Sequence, residues 1–158
     1  MPAPIRVAYA TRYGSTAEVA EFIASTLRSR GLSARCQPAR EVKSLQGIQA
    51  VVLGAPLFMF HWHKDALRFL DRFRADLQSI PTAVFALGPT TEPRSEKEWT
   101  DARAILEKEL ASRAWFTPTS VSLFGGRWDP TKIGLPFKAF SKRLPNNDTV
   151  SYTHLTPP

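Results

Sequence analysis

The six residues TRYGST hold three aliphatic hydroxyls and one glycine: Thr11, Gly14, Ser15 and Thr16, with Arg12 and Tyr13 between them. They follow a short apolar run, IRVAYA, and precede AEVAEFIASTL, in which Val19, Phe22, Ile23, Thr26 and Leu27 recur at helical spacing. Ser15 and Glu18 have the S-x-x-E spacing of a capping box, which predicts a helix starting just after Ser15. Residues 11–16 thus make a hydroxyl-rich turn at a helix N-terminus, where unpaired backbone N–H groups and the helix dipole favour an anion. Such a place suits a phosphate. A Walker loop needs a lysine that TRYGST lacks, and a dinucleotide fingerprint needs three spaced glycines where Gly14 stands alone. Three hydroxyls and one glycine suit a single terminal phosphate; an ordinary strand-to-helix turn with a serine cap is the other reading.

Two further segments carry chemical groups. Pro56, Leu57, Phe58, Met59, Phe60 and Trp62 form an aromatic-rich loop, interrupted by His61 and followed by His63. H-x-H lacks the third ligand and the spacing of a zinc site, so no metal is expected. His63 is read as a cap on the following helix or as a lining of the cleft, and its titration near neutrality makes it a candidate proton shuttle. Gly88, Pro89 and Thr90 open GPTTEPR, a loop that cannot be helical. The single cysteine, Cys36, excludes an internal disulfide framework and fits a reducing cytoplasm. Lying in a strand candidate, it reads as a small buried hydrophobe.

The elements that would position these groups alternate. Strands are predicted at 5–10, 32–37, 50–54, 82–87 and 119–124, with a short polar crossover of about two helical turns at 39–49. A helix over 64–77 carries Ala66, Phe69, Leu70, Phe73 and Leu77 on one stripe. Ser95 and Glu98 repeat the capping-box spacing and open a helix to about Ser112, with Trp99, Ala102, Leu106 and Leu110 on its inner face. This is an α/β pattern: a three-layer, doubly wound, five-stranded parallel sheet of order 2-1-3-4-5, occupying 1–148 as one domain. Its ligand would lie outside the carboxyl ends of strands one, three and four. A receiver domain would need acids at the ends of strands one and three, where Ala10-Thr11 and Gly54-Ala55-Pro56 stand.

Past Phe124 the pattern changes to a turn-rich loop at 125–131 and a short basic amphipathic stretch at 136–144. There Phe137, Phe140 and Leu144 oppose Lys138, Lys142 and Arg143. A surface helix on a membrane reads this way, and so does a short helix packed on its own sheet. The final helix of a doubly wound sheet has no counterpart, which leaves apolar surface beside the first helix to be uncovered. Residues 149–158 read as a non-native or disordered tail. Lys and Arg number 21 against 14 Asp and Glu, a formal net charge of +7 that favours anionic partners. No nucleic-acid module is recognisable, so nucleic acid is not expected, and no apolar run is long enough to span a bilayer.

Three stretches together resemble the flavodoxin family. TRYGSTAEVAEFIA is similar to its phosphate loop and first helix, with Thr11, Gly14 and Thr16 in matching positions. VVLGAPLFMFHWHKDALRFL and VFALGP resemble the two later loops that embrace a flavin ring. HWHKDALRFL and FGGRWDPTKIGLPF resemble most the branch that includes the menaquinone-dependent protoporphyrinogen oxidases. The likeness runs to about Asp148, where that family continues into an aspartate–tryptophan step and a final helix and this chain has TVSYTHLTPP.

The resemblance implies FMN, with its phosphate on residues 11–16 and its ring between 56–62 and 88–91. Phe58, Phe60 and Trp62 could offer the ring a flat apolar face, and backbone groups of Gly88 and Thr90 could reach its polar edge. It also implies an oxidoreductase that passes electrons from a reduced substrate to a quinone. The basic 132–144 stretch and the net charge of +7 favour peripheral contact with the inner face of the membrane, and the single cysteine a cytoplasmic place. A soluble electron-transfer carrier and a cofactor-free interaction module are the alternatives. Such carriers are commonly acidic, which +7 argues against. Oligomeric state stays open.

Overall fold

Apolar runs flanked by Pro and Gly fall into register as parallel strands in a computed structural model of the chain. It describes residues 3–11, 14–58, 61–88, 96–124 and 152–154, with backbone alone for 152–154, Phe58 and Glu98. In chain order the strands are β1 (Ile5–Tyr9), β2 (Ala34–Pro38), β3 (Ala50–Phe58), β4 (His61–Trp62), β5 (Thr82–Leu87), β6 (Ser120–Phe124) and β7 (Tyr152–His154). The helices are α1 (Ser15–Ser29), α2 (Lys64–Arg72), α3 (Arg74–Leu77) and α4 (Glu96–Ala111). The sheet order is β2-β1-β3-β5-β6-β7, with β4 folded back antiparallel on β3. The five expected strands therefore stand in the expected 2-1-3-4-5 arrangement, all parallel.

Side chains alternate across the sheet as a period of two demands, and that alternation divides the core. Val51, Leu53, Ala55, Val84, Ala86, Val121 and Leu123 face α2, α3 and α4. Ile5, Val7, Ala50, Val52, Ala83, Phe85 and Leu87 face α1. The predicted stripes on α2–α3 and α4 are buried as read. On α1 the buried set is Thr16, Val19, Ala20, Ile23, Ala24 and Leu27, with Phe22 packed at its margin. One close approach stands out: a Cβ at Gly54 would lie 1.9 Å from the Phe85 ring, its cross-strand neighbour on β5. Phe85 in turn meets Phe124 at 5.6 Å between centroids. Among the described residues of this face, Ala83, Phe85 and Phe124 are at most 3% exposed.

Several boundaries differ from the sequence reading. The crossover holds one 3-10 turn (Ala39–Glu41) in place of two helical turns. Its apolar residues Ala39, Val42, Leu45 and Ile48 are nonetheless buried, so packing is achieved without a helix. β3 runs nine residues, four beyond Gly54, because Ala55 and Pro56 still align with Ala86 and Leu87 of β5. The helix expected over 64–77 breaks at Phe73 (φ −105°, ψ 26°). The bonds Phe73 N to Phe69 O (3.0 Å) and Leu77 N to Phe73 O (2.9 Å) persist, which keeps the buried stripe in line through the break.

Within the segment read as a tail, Tyr152–His154 forms β7, parallel to β6 in the register Val121↔Tyr152 to Leu123↔His154. The 125–131 loop, the basic 132–144 stretch, Ser95 of the second capping box and the rest of 149–158 lie outside the described residues. Among the described residues no helix is long and apolar enough to cross a membrane.

Candidate functional site

β1 delivers the chain to the carboxyl end of the sheet, where Ala10 N still donates to Gly54 O of β3 at 3.0 Å. The turn that follows is closed by a side chain: Gly14 N donates to Thr11 Oγ1 at 2.8 Å. Gly14 then adopts φ 97°, a left-handed conformation suited to glycine, and serves as the N-cap of α1. The expected capping box does not form. Helical backbone begins at Ser15 itself, so Ser15 occupies the first turn, where its hydroxyl no longer has N-cap geometry, and no side chain caps the helix. The first intrahelical bond is Glu18 N to Gly14 O at 3.2 Å. The N–H groups of Ser15, Thr16 and Ala17 precede it, beyond the reach of the ladder.

These features fit a phosphate group. Gly14 gives the backbone its left-handed turn, three N–H groups follow, and Thr11 retains a hydroxyl proton to donate after accepting from Gly14. Ser15 is exposed at the same end of α1, and Thr16 is buried in its first turn. Arg12 and Tyr13 lie outside the described residues. Tyr9, at the end of β1, has its phenol pKa raised by burial and by the nearby Cys36, Glu21 and Glu41.

The aromatic segment is not the loop that was expected. Pro56, Leu57 and Phe58 end β3, and Leu57 and Phe58 pair with Trp62 and His61 of β4. Trp62 is 1% exposed, and its Nε1 donates to Ala55 O at 3.0 Å. Its ring lies in the core shared with α2 and α4, so it does not present the flat face proposed for a flavin. Pro56 and Leu57 remain partly exposed. Met59, Phe60 and the side chain of Phe58 fall outside the described residues. His63 is the N-cap of α2: Asp65 N donates to its Nδ1 at 3.0 Å. That bond makes Nδ1 an acceptor, which bears out the helix-cap reading and puts the proton of the neutral ring on Nε2.

On the third segment, Gly88 N donates to Phe124 O at 2.8 Å, which removes it as a donor toward a ligand edge. Pro89, Thr90 and Thr91 lie outside the described residues. Sequence reasoning missed Glu109. Its Oε2 on α4 accepts from His61 Nδ1 at 2.9 Å and from Trp62 N at 3.3 Å. The one signal in the sequence was a carboxylate near the C-terminal end of a helix, where the dipole disfavours it. No three His, Cys, Asp or Glu side chains gather as a metal-binding group among the described residues.

The carboxyl ends of β1, β3 and β5 thus bring together the 11–17 turn, Pro56, Leu57 and Gly88. A family model described as "Flavodoxin domain" matches residues 6–142. The chain belongs to the flavodoxin-domain family. This flavodoxin-domain chain is 25% identical over 111 residues to protoporphyrinogen IX dehydrogenase [quinone] of Escherichia coli (strain K12), an alignment covering 69% of this chain and 61% of that protein. The match therefore spans about three-fifths of the curated relative. Among solved structures it is similar to oxidised flavodoxin 1 from Bacillus cereus (TM-score 0.65, 22% identity, 89% of this chain and 99% of that one). It is also similar to a Fusobacterium nucleatum flavodoxin bound to flavin mononucleotide (TM-score 0.50, 15% identity, 69% and 65%). These two likenesses concern the fold.

Proposed function

We propose that this flavodoxin domain binds FMN and acts as an oxidoreductase that moves electrons from a reduced, porphyrinogen-type substrate to a quinone. The observation that carries the reading is the turn before α1. There Thr11 ties Gly14 into a left-handed cap and leaves the first N–H groups of the helix to a phosphate. Family membership and the likeness to protoporphyrinogen IX dehydrogenase [quinone] support the rest. When bound, the flavin supplies the electron chemistry.

The chain's own part is to bind and orient it. Backbone donors at 15–17 and the Thr11 hydroxyl would hold the phosphate, while Pro56 and Leu57 at the end of β3 would keep water from the ring. Peripheral contact with an anionic membrane face is part of the same proposal, supported by the net charge of +7.

The test begins with FMN titration of the purified chain and of Ser15→Glu. An acid in the first turn of α1 complements the helix dipole, so Ser15→Glu should fold as stably as the parent. It should nonetheless repel the phosphate and weaken FMN binding by about tenfold or more. Unchanged affinity would put the cradle elsewhere, and a chain that stays colourless with FMN would reject the cofactor. The loaded protein should then be reduced by protoporphyrinogen and reoxidised by menaquinone in anionic vesicles. If it exchanges single electrons with a redox protein and does neither of these, it is a carrier.

A further inference from the structure

Two strand residues converge on one carboxylate oxygen. His61 Nδ1 and Trp62 N, the whole of β4, both lie within hydrogen-bond distance of Glu109 Oε2, from an element 47 and 48 residues away in sequence. A carboxylate can only accept, so Nδ1 of His61 carries the proton and donates. Glu109 is largely sheltered, with 16% of its side chain exposed against 75% for His61. Its position near the C-terminal end of α4 is adverse for an anion. Arg113 lies close enough to feel its charge, and Arg113 is itself bonded to Asp71 at the end of α2 through Nε (2.8 Å) and Nη2 (2.9 Å).

β4 has few other means of holding its place. Two residues paired to β3 make a very short ribbon, which is marginal alone in water. Its inner side is fixed by the Trp62 ring, bonded to Ala55 O, and its exit by His63 N on Pro56 O at 3.1 Å. Its outer side is fixed by Glu109. The β3–β4 pair stands where the sheet's carboxyl ends meet the candidate site, and its Leu57 and Pro56 are partly exposed there.

We infer that Glu109 is a positioning residue for the ring side of the flavin site: by holding β4 against α4 it sets where the end of β3 stands. The inference rests on the flavin reading above. Comparing two ligands separates the ring side from the phosphate side, and thermal midpoints with rescue by Glu109→Gln separate positioning from general loss of structure. Glu109 acts on the ring side alone, so its loss should weaken riboflavin, which has no phosphate, by the same factor as FMN. Ser15→Glu acts on the phosphate side and should weaken FMN while leaving riboflavin unchanged.

Affinities for FMN and riboflavin should be measured on the full chain and on Glu109→Leu, Glu109→Gln and His61→Leu, with thermal midpoints recorded alongside. Glu109→Leu should weaken both flavins by about tenfold. Glu109→Gln retains an acceptor for both donors and should recover most of that loss. His61→Leu changes an exposed side chain and removes one of the two bonds, so it should fold normally and lose about threefold on both ligands. Parent-like flavin affinity in Glu109→Leu and His61→Leu would overturn the inference while leaving flavin binding intact. If Glu109→Leu fails to fold, His61→Leu and Glu109→Gln decide: threefold loss with rescue supports positioning, and no loss in His61→Leu overturns it. A parent chain that binds neither flavin would instead reject the functional reading itself.

Discussion

Cys36 is half-buried on β2, where burial and the neighbouring Glu21 carboxylate push its thiol up to about 12. The folded chain therefore holds this proton more tightly than the unfolded one. The stability so contributed is complete below pH 9.0 and is lost as pH rises toward about 12. Thermal midpoints should fall over that window, and Cys36→Val should remove this part of the fall. Because the thiolate is the reactive form, iodoacetamide at pH 8 should alkylate the native chain at least about tenfold more slowly than the urea-unfolded chain. That Cys36 reads as a small hydrophobe was legible from its place in a strand pattern. The roles of Gly14 and Trp62 were not. Ser15 and Gly14 compete for the cap by backbone geometry, and whether Trp62 faces ligand or core depends on the pairing of β3 with β4.

Elements were legible wherever an apolar run had to be covered on both faces, as in β3 and β5. The ends of β5 fell where they were read, at 82 and 87, but the end of β3 did not, because its cross-strand partners decide it. Pro56 looked like the start of a loop, yet it aligns with Leu87 because a proline at the end of a strand gives up only one ladder donor. Within β3, Gly54 shows how tightly one strand depends on its neighbour. A methyl there would meet three Phe85 ring atoms between 1.9 and 2.4 Å away, and that ring is fully buried and packed against Phe124. Gly54→Ala should therefore destabilise the fold by about 3 kcal/mol or more, read from the urea midpoint. Gly88→Ala is the matched control. Its nearest neighbour would be Phe124 O at 3.7 Å, an ordinary contact, and its cost should stay within about 1 kcal/mol.

At the scale of the molecule, strand order followed from the handedness of crossovers and a phosphate turn after β1, so it could be read before the structure. Pairings between elements with no shared local pattern could not: β7 on β6, and Glu109 on β4, join segments far apart in sequence. The strict alternation of side chains has one further outcome. Because the parallel sheet sorts its apolar groups into two non-mixing sets, it works as a bulkhead between two compartments. Damage on one side has no soft neighbour on the other through which to relax. Ile23→Val beside α1 and Leu106→Val under α4 should each cost about 1 kcal/mol, and the double variant should equal their sum within about 0.5 kcal/mol. A protein built this way can be redesigned one compartment at a time.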